Sequence, residues 1–152
     1  MRTLASLVTL APLLLLAAAL PASAAVKTEV VEYLDGEQVC EGFLAYDDAA
    51  PGRRPGVVVV HEWMGLGDHA KERAKALASL GYVAFAADIY GKGIRAKDHK
   101  EAGALAGKYK GDLPLLRSRA RAAFDTLARN ARVDAAKVFA IGYCFGGTTV
   151  LE

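Results

Sequence analysis

The 152-residue sequence predicts an α/β domain: a mostly parallel sheet flanked by helices and opened by an N-terminal antiparallel hairpin. Three observations carry this prediction. Beyond residue 56, short apolar or β-branched runs alternate with segments of helical periodicity, the pattern of strands joined by crossover helices. "VVVV", Val57–Val60, is apolar on both faces of its pleat, as a strand covered by helices on both sides must be. Ahead of it, "VKTEVVEYL" and "VCEGFLAY" flank "DGEQ", and Asp-Gly between two such runs is a strong short-range hairpin signal.

The first element is not part of the fold. Residues 1–24 carry Arg2, then an apolar run through Leu20, then Pro21 and the small-residue site Ala22-Ser23-Ala24. These are the parts of a cleavable signal peptide. The run is near the lower length limit for a membrane span, so cleavage is expected to leave no stable anchor. The mature chain, residues 25–152, is then expected outside the cytoplasm, secreted or periplasmic, where Cys40 and Cys144 meet an oxidising compartment. Their contexts differ: Cys40 sits in an alternating strand pattern and Cys144 at a glycine-flanked turn. Spacing alone does not decide whether they pair.

After the hairpin, "APGRRPG" reads as a loop and Val57–Val60 as a buried strand. "DHAKERAKALASLG" reads as a helix capped by Asp68 and ended by Gly81, with Ala70, Ala74, Leu77, Ala78 and Leu80 on its apolar side. "YVAFAADI", Tyr82–Ile89, is the next strand. Residues 91–112 are interrupted by glycines and read as a mobile excursion with a short helix around Glu101–Ala106. A firmer helix follows, with Leu116, Ala120, Ala123, Phe124 and Leu127 on one face and Pro114 in its first turn. "KVFAIGYC" is a further strand and runs into "FGGTTVLE", the start of a helix. That helix has no stop signal before Glu152, so the chain is expected to be the N-terminal part of a longer protein.

Composition narrows the function classes. With 19 basic and 17 acidic residues the formal charge is +2, and the basic residues are scattered. No electrostatic footprint for nucleic acid results. The histidines and acids show no metal-binding spacing such as H-E-x-x-H, and no cofactor is implied. Oligomeric state is not legible in the sequence.

The chemistry concentrates in "IGYCFGG", Ile141–Gly147. Gly142 precedes Cys144 by two and Gly146 follows by two, between a strand and a helix. This is the nucleophile-elbow pattern G-x-S-x-G with sulfur in place of oxygen. A tight turn there lifts the side chain above the sheet edge, and Gly147 is expected to add room for close packing. A thiolate at a helix N-terminus is favoured and intrinsically nucleophilic. The second constellation is "HEWMGLGDH", His61–His69, after the valine strand. The loop at this position supplies the second oxyanion N–H in such sites, so the N–H groups of Trp63 and Phe145 are the candidate pair. Glu62 falls near the thiol, where it can accept or hold its proton. His61 reads as packed beside the sheet end, and His69 and His99 as helix-surface residues.

Two alternatives remain at this point. "GLGDHA" offers Gly65-x-Gly67-x-x-Ala70 before a helix, with Asp88 at the end of the next strand, a dinucleotide-binding oxidoreductase pattern. Four residues, His61–Met64, intervene where the tight turn should begin at once. The other alternative is an exported non-catalytic or thiol-redox protein using Cys40 and Cys144, although no C-x-x-C is present.

The segments "VVVVHEWMGLGDHAKERAKALASLGYVAFAADIYGKG" and "VFAIGYCFGG" resemble the dienelactone hydrolase family. The resemblance runs from about Val30 to the end and rests on "HEWMGL" and "GYCFGG" in this order. It implies an α/β-hydrolase fold, a small-molecule ester or lactone substrate, and a Cys-Asp-His triad whose acid and histidine follow the nucleophile. Cys144 matches that nucleophile, Glu62 the glutamate controlling its protonation, and Trp63 and Phe145 the oxyanion positions. "ADIYGKG" matches a segment reading Asp-Leu-Tyr-x-Arg in the family, which makes Tyr90 and Lys92 candidate substrate-binding residues. Lysine keeps the arginine's charge but not its planar fork. The triad acid and histidine have no counterpart here. The 152 residues alone are therefore expected neither to fold stably nor to turn over substrate.

Overall fold

The computed structural model describes residues 25–152; the expected signal peptide lies outside them. Five strands form one sheet in the order β1-β2-β4-β3-β5. They are β1 (Val26–Asp35), β2 (Gln38–Asp47), β3 (Arg54–Val60), β4 (Val83–Ala87) and β5 (Val133–Gly142). The helices are α1 (Asp68–Ser79), α2 (His99–Gly111), α3 (Leu113–Ala128) and α4 (Phe145–Leu151). β3 pairs in parallel with both β4 and β5, whereas β2 pairs antiparallel with β1 and β4.

The hairpin closes at Asp35–Gln38. Gly36 takes φ +59 and Glu37 does not share that sign. A positive φ at the first central residue alone is the pattern of a type II′ turn, which asks for glycine there. β1 is the outer strand, and Lys27, Glu29 and Glu32 along it discourage pairing with another chain.

The valine run serves both faces of the sheet. Val58 and Val60 join a core with Phe85, Tyr109, Leu116, Ala123 and Leu127, under α2 and α3. Val57 and Val59 join the opposite core with Ala84, Ala86 and the α1 residues Ala70, Ala74 and Ala78. Alanine meets alanine there, so α1 lies close on the sheet. Fully burying one of the valines contributes roughly 1.5–3 kcal/mol.

Four expectations need correction. Gly67, not Asp68, is the N-cap of α1, without a side-chain cap bond; Asp68 is the first helical residue, where its charge suits the helix dipole. Leu80 falls past the helix end and is 75% exposed, so it does not extend the apolar face. Gly81 takes the expected left-handed conformation, φ +92. The third correction is larger. Residues 99–111 form a full helix rather than a mobile excursion with one short turn. Asp98 caps it by accepting from the Glu101 N–H at 2.8 Å. Ala102, Ala106 and Tyr109 are buried along one side, while Gly103, Gly107 and Gly111 have open space around them. The glycines weaken the helix by propensity, and packing of the other face outweighs that. Last, β5 starts four residues earlier than "KVFAIGYC" suggests, at Val133. It is the edge strand of the described sheet, and Phe139 is 57% exposed.

Candidate active site

The C-terminal ends of the parallel strands β4, β3 and β5 converge at one edge, and the loops leaving them carry the chemistry. Cys144 follows β5 and caps α4, with φ 54 and ψ −111. It is the one non-glycine residue with positive φ among those described. A side chain at that φ is strained, typically by about 1–3 kcal/mol, and the surroundings must impose it. They do so through two glycines. A Cβ on Gly142 would lie 2.0 Å from the Gly146 carbonyl oxygen. A Cβ on Gly146 would lie 2.4 Å from the carbonyl oxygen of Val60 and 2.8 Å from that of His61. The turn can be this tight only because both lack side chains. Gly147 differs from expectation: a Cβ there would meet nothing nearer than the Gly142 oxygen at 3.6 Å, an ordinary contact. The resulting geometry leaves the Cys144 thiol exposed.

The β3 loop lies alongside. The β3–β5 ladder pairs Val60 with Gly142, and Tyr143 N–H still reaches the Val60 carbonyl at 3.3 Å. The Glu62 loop therefore leaves β3 beside the turn that carries Cys144. His61 is completely buried. Its Nε2 accepts the Ile89 N–H at 3.2 Å, so Nδ1 carries the proton and donates to the Glu62 carbonyl at 2.6 Å. Burial pushes its pKa down to about 4, against a weaker opposing effect of that hydrogen bond. The ring also stacks on Phe145, centroids 5.8 Å apart. A neutral histidine thus joins the ends of β3 and β4 to the start of α4, a packing role as the sequence indicated.

Trp63 is held from below. The buried Tyr90 donates its hydroxyl to the Trp63 carbonyl at 2.9 Å, and its ring packs on Tyr109, Phe145 and His61. Burial, with neighbouring Tyr109, raises the Tyr90 pKa above the ordinary phenol value. Neither Trp63 nor Phe145 uses its N–H in a hydrogen bond among the described residues, and Phe145 is at the first position of α4, where no intrahelical partner exists.

Lys92 is placed elsewhere. Its ammonium pairs with Glu32 and lies 3.7 Å from Glu41, a cross-strand pair of the hairpin. From β2 to β5 is three strand spacings, roughly 14 Å. The structure therefore sets the loop of Glu62 and Trp63 beside the turn of Cys144 and Phe145, with Tyr90 against Trp63 and Phe145 and Lys92 apart at the hairpin.

Three neighbours were not legible in the sequence. His69 Nε2 lies 3.5 Å from Glu62 Oε1, and its ring meets Tyr143 edge-on at 4.9 Å. His99, at the start of α2, stacks on Trp63 at 5.4 Å. Arg95 donates to the Leu66 carbonyl at 2.7 Å and lies 3.5 Å from Asp88, tying the β3 and β4 loops together. The "HEWMGLGDH" spacing holds a weak signal for His69, because a seven-residue loop that turns back onto α1 brings its ends together.

Asp88 itself is buried. One carboxylate oxygen accepts the Glu41 N–H and the other the Gly91 N–H, both at 3.1 Å. Completely buried, the carboxylate is not presented to a ribose, which argues against the dinucleotide-binding alternative. Cys40 is equally buried, and burial pushes its thiol up to about 11. It lies on β2, three strands from the elbow, too far to pair with Cys144 in this fold.

The sequence profile of the dienelactone hydrolase family matches residues 40–152. The chain belongs to the dienelactone hydrolase family. A dienelactone hydrolase-like promiscuous phosphotriesterase from metagenomic libraries is 46% identical, with a TM-score of 0.80 over 84% of this chain and 53% of that one. A dienelactone hydrolase of Anabaena variabilis shares the fold at 22% identity, with a TM-score of 0.62 over 83% of this chain and 56% of that one. Protein usf of Aquifex pyrophilus is 35% identical over 98 residues, 62% of this chain and 42% of its own length. This dienelactone hydrolase-family chain thus spans about half the length of the solved relatives it matches.

Proposed function

We propose that the protein hydrolyses small carboxylic esters or lactones through Cys144, by way of a thioester. The observation that carries this reading is the strained, exposed Cys144 between two glycines that admit no Cβ. Such strain persists where the surroundings over-determine it, and here it presents a sulfur at the sheet edge. The Cys144 thiolate attacks the carbonyl carbon and forms the C–S bond, moving the carbonyl electron pair onto oxygen. The N–H groups of Trp63 and Phe145 hold that oxyanion. Its collapse expels the alkoxide, which takes a proton, and water then cleaves the thioester. The family's acid and histidine would supply the proton transfers. We place them in the part of the relatives' length that this chain does not span.

Tyr90 serves this reading by fixing the Trp63 peptide rather than by touching substrate. Lys92, held by two carboxylates, offers no net positive charge to an anionic substrate, so a neutral ester suits the site best. The protein is exported if its first 24 residues act as the signal peptide they resemble. The test, made on a protein that also carries the segment with the triad acid and histidine, is turnover of a panel of p-nitrophenyl esters and small lactones with and without iodoacetamide. An uncharged phosphotriester belongs in the panel because of the 46% identical relative. Turnover lost on alkylation supports the cysteine hydrolase. Turnover that survives complete Cys144 alkylation overturns it.

A further inference from the structure

The geometry points to His69 as a positioning residue for Glu62: it draws the carboxylate away from the Cys144 thiol and thereby sets how reactive that thiol is. This deepens, and rests on, the assignment of Cys144 as nucleophile. Glu62 has a fixed backbone and a free side chain. Its carbonyl accepts from His61 Nδ1 at 2.6 Å and from the Gly65 N–H at 3.2 Å. Its carboxylate, by contrast, makes no hydrogen bond among the described residues. The one partner is His69 Nε2 at 3.5 Å, longer than a good hydrogen bond. The Glu62 loop leaves β3 beside the elbow: Tyr143 N–H reaches the Val60 carbonyl at 3.3 Å, and a Cβ on Gly146 would lie 2.8 Å from the His61 carbonyl oxygen. In this proposal the carboxylate exchanges His69 for the thiol as its neighbour.

His69 is itself fixed by its place in the fold. It is the second residue of α1, and the alanine face of that helix lies on the sheet. Its ring edge abuts Tyr143, the residue before Cys144. The imidazole is thus held beside the elbow while its Nε2 faces Glu62. A carboxylate next to a thiol disfavours the thiolate, because two negative charges then share one site. Holding that carboxylate on His69 relieves the repulsion. The pair is half-exposed, so its hold is weak and releasable. A shift of about threefold between the two placements is the scale to expect from such a pair.

The test is the rate of Cys144 alkylation by iodoacetamide at neutral pH, followed by peptide mass spectrometry. Buried Cys40 serves as the unreactive internal reference. His69→Phe keeps a ring against Tyr143 and removes the donor; it should slow alkylation about threefold. His69→Gln restores a nitrogen donor near the position of Nε2 and should recover the rate. Glu62→Gln should react faster than the parent, and adding His69→Phe to it should change nothing further. A His69→Phe rate equal to the parent's overturns the proposal. So does a slowing that persists in the Glu62→Gln background, since His69 would then act on the thiol directly. Ester turnover, measured in parallel on a protein that also carries the segment with the triad acid and histidine, separates the two readings. The full pattern of rates without turnover leaves the pairing standing and sinks the hydrolase; turnover without that pattern does the reverse.

Discussion

His61 Nε2 accepts the backbone N–H of Ile89 at 3.2 Å, which binds the end of β3 to the end of β4 through an uncharged imidazole. That bond exists only while Nε2 lacks a proton.

Stability should therefore fall with acid in a defined window. His61 titrates near 4 in the folded protein and near 6.5 when unfolded. Between those values the unfolded chain binds more protons, so stability is complete above about pH 6.5 and declines toward pH 4. At about 1.4 kcal/mol per unit, the loss is on the order of 3 kcal/mol. Denaturant melts at pH 7, 5.5 and 4 check this, with His61→Gln as the comparison. The variant should be less stable at pH 7 and should lack this part of the acid dependence.

Gly146→Ala and Gly147→Ala should separate sharply although the residues are neighbours. The first sets a Cβ 2.4 Å from the Val60 carbonyl oxygen and must move backbone. It should cost more than about 3 kcal/mol and remove activity. The second meets ordinary space inside a helix, so stability should change by less than about 1 kcal/mol. Thermal melts of the two variants decide the matter.

Cys144→Gly should be more stable than the parent by about 1 kcal/mol, because glycine takes φ 54 without a Cβ penalty. Its ester hydrolysis should drop by at least about 10³. A variant that is stabilised and still active would show that the strain serves something other than the thiol.

Tyr90→Phe keeps the ring stack and loses the hydroxyl that donates to the Trp63 carbonyl. Freed of that anchor, the Trp63 N–H is less well aimed at the oxyanion. The expected outcome is roughly a tenfold lower kcat, a nearly unchanged KM, and a stability loss of about 1 kcal/mol. Steady-state kinetics on one p-nitrophenyl ester will show whether kcat or KM moves.

What the sequence disclosed was mostly local. The Asp35-Gly36 turn, the valine strand and the glycines around Cys144 each express a constraint contained within a few residues. The full length of α2 did not, because Gly103, Gly107 and Gly111 dilute its helical signal while its support comes from burial against the sheet. Lys92 was a candidate through its match to the family's arginine; Glu32 and Glu41 are brought beside it only by the hairpin register and the β2–β4 pairing. His69 and His99 looked like surface residues for the same reason: their partners, Glu62 and Trp63, belong to a loop whose path depends on the strand order.

The alanine seam between α1 and the sheet has a consequence for how such a site can be tuned. Ala70, Ala74 and Ala78 share a fully buried core with Ala45, Ala84 and Ala86, and these short side chains leave little room to absorb a displacement. A helix seated this way behaves as a lever on a hard bearing. One extra methyl group at Ala78, about 14 Å along the helix from His69, has nowhere to go except into tilt or sliding of the whole rod. Evolution or an engineer could thus adjust the gap between an imidazole and a carboxylate by changing a residue that touches neither.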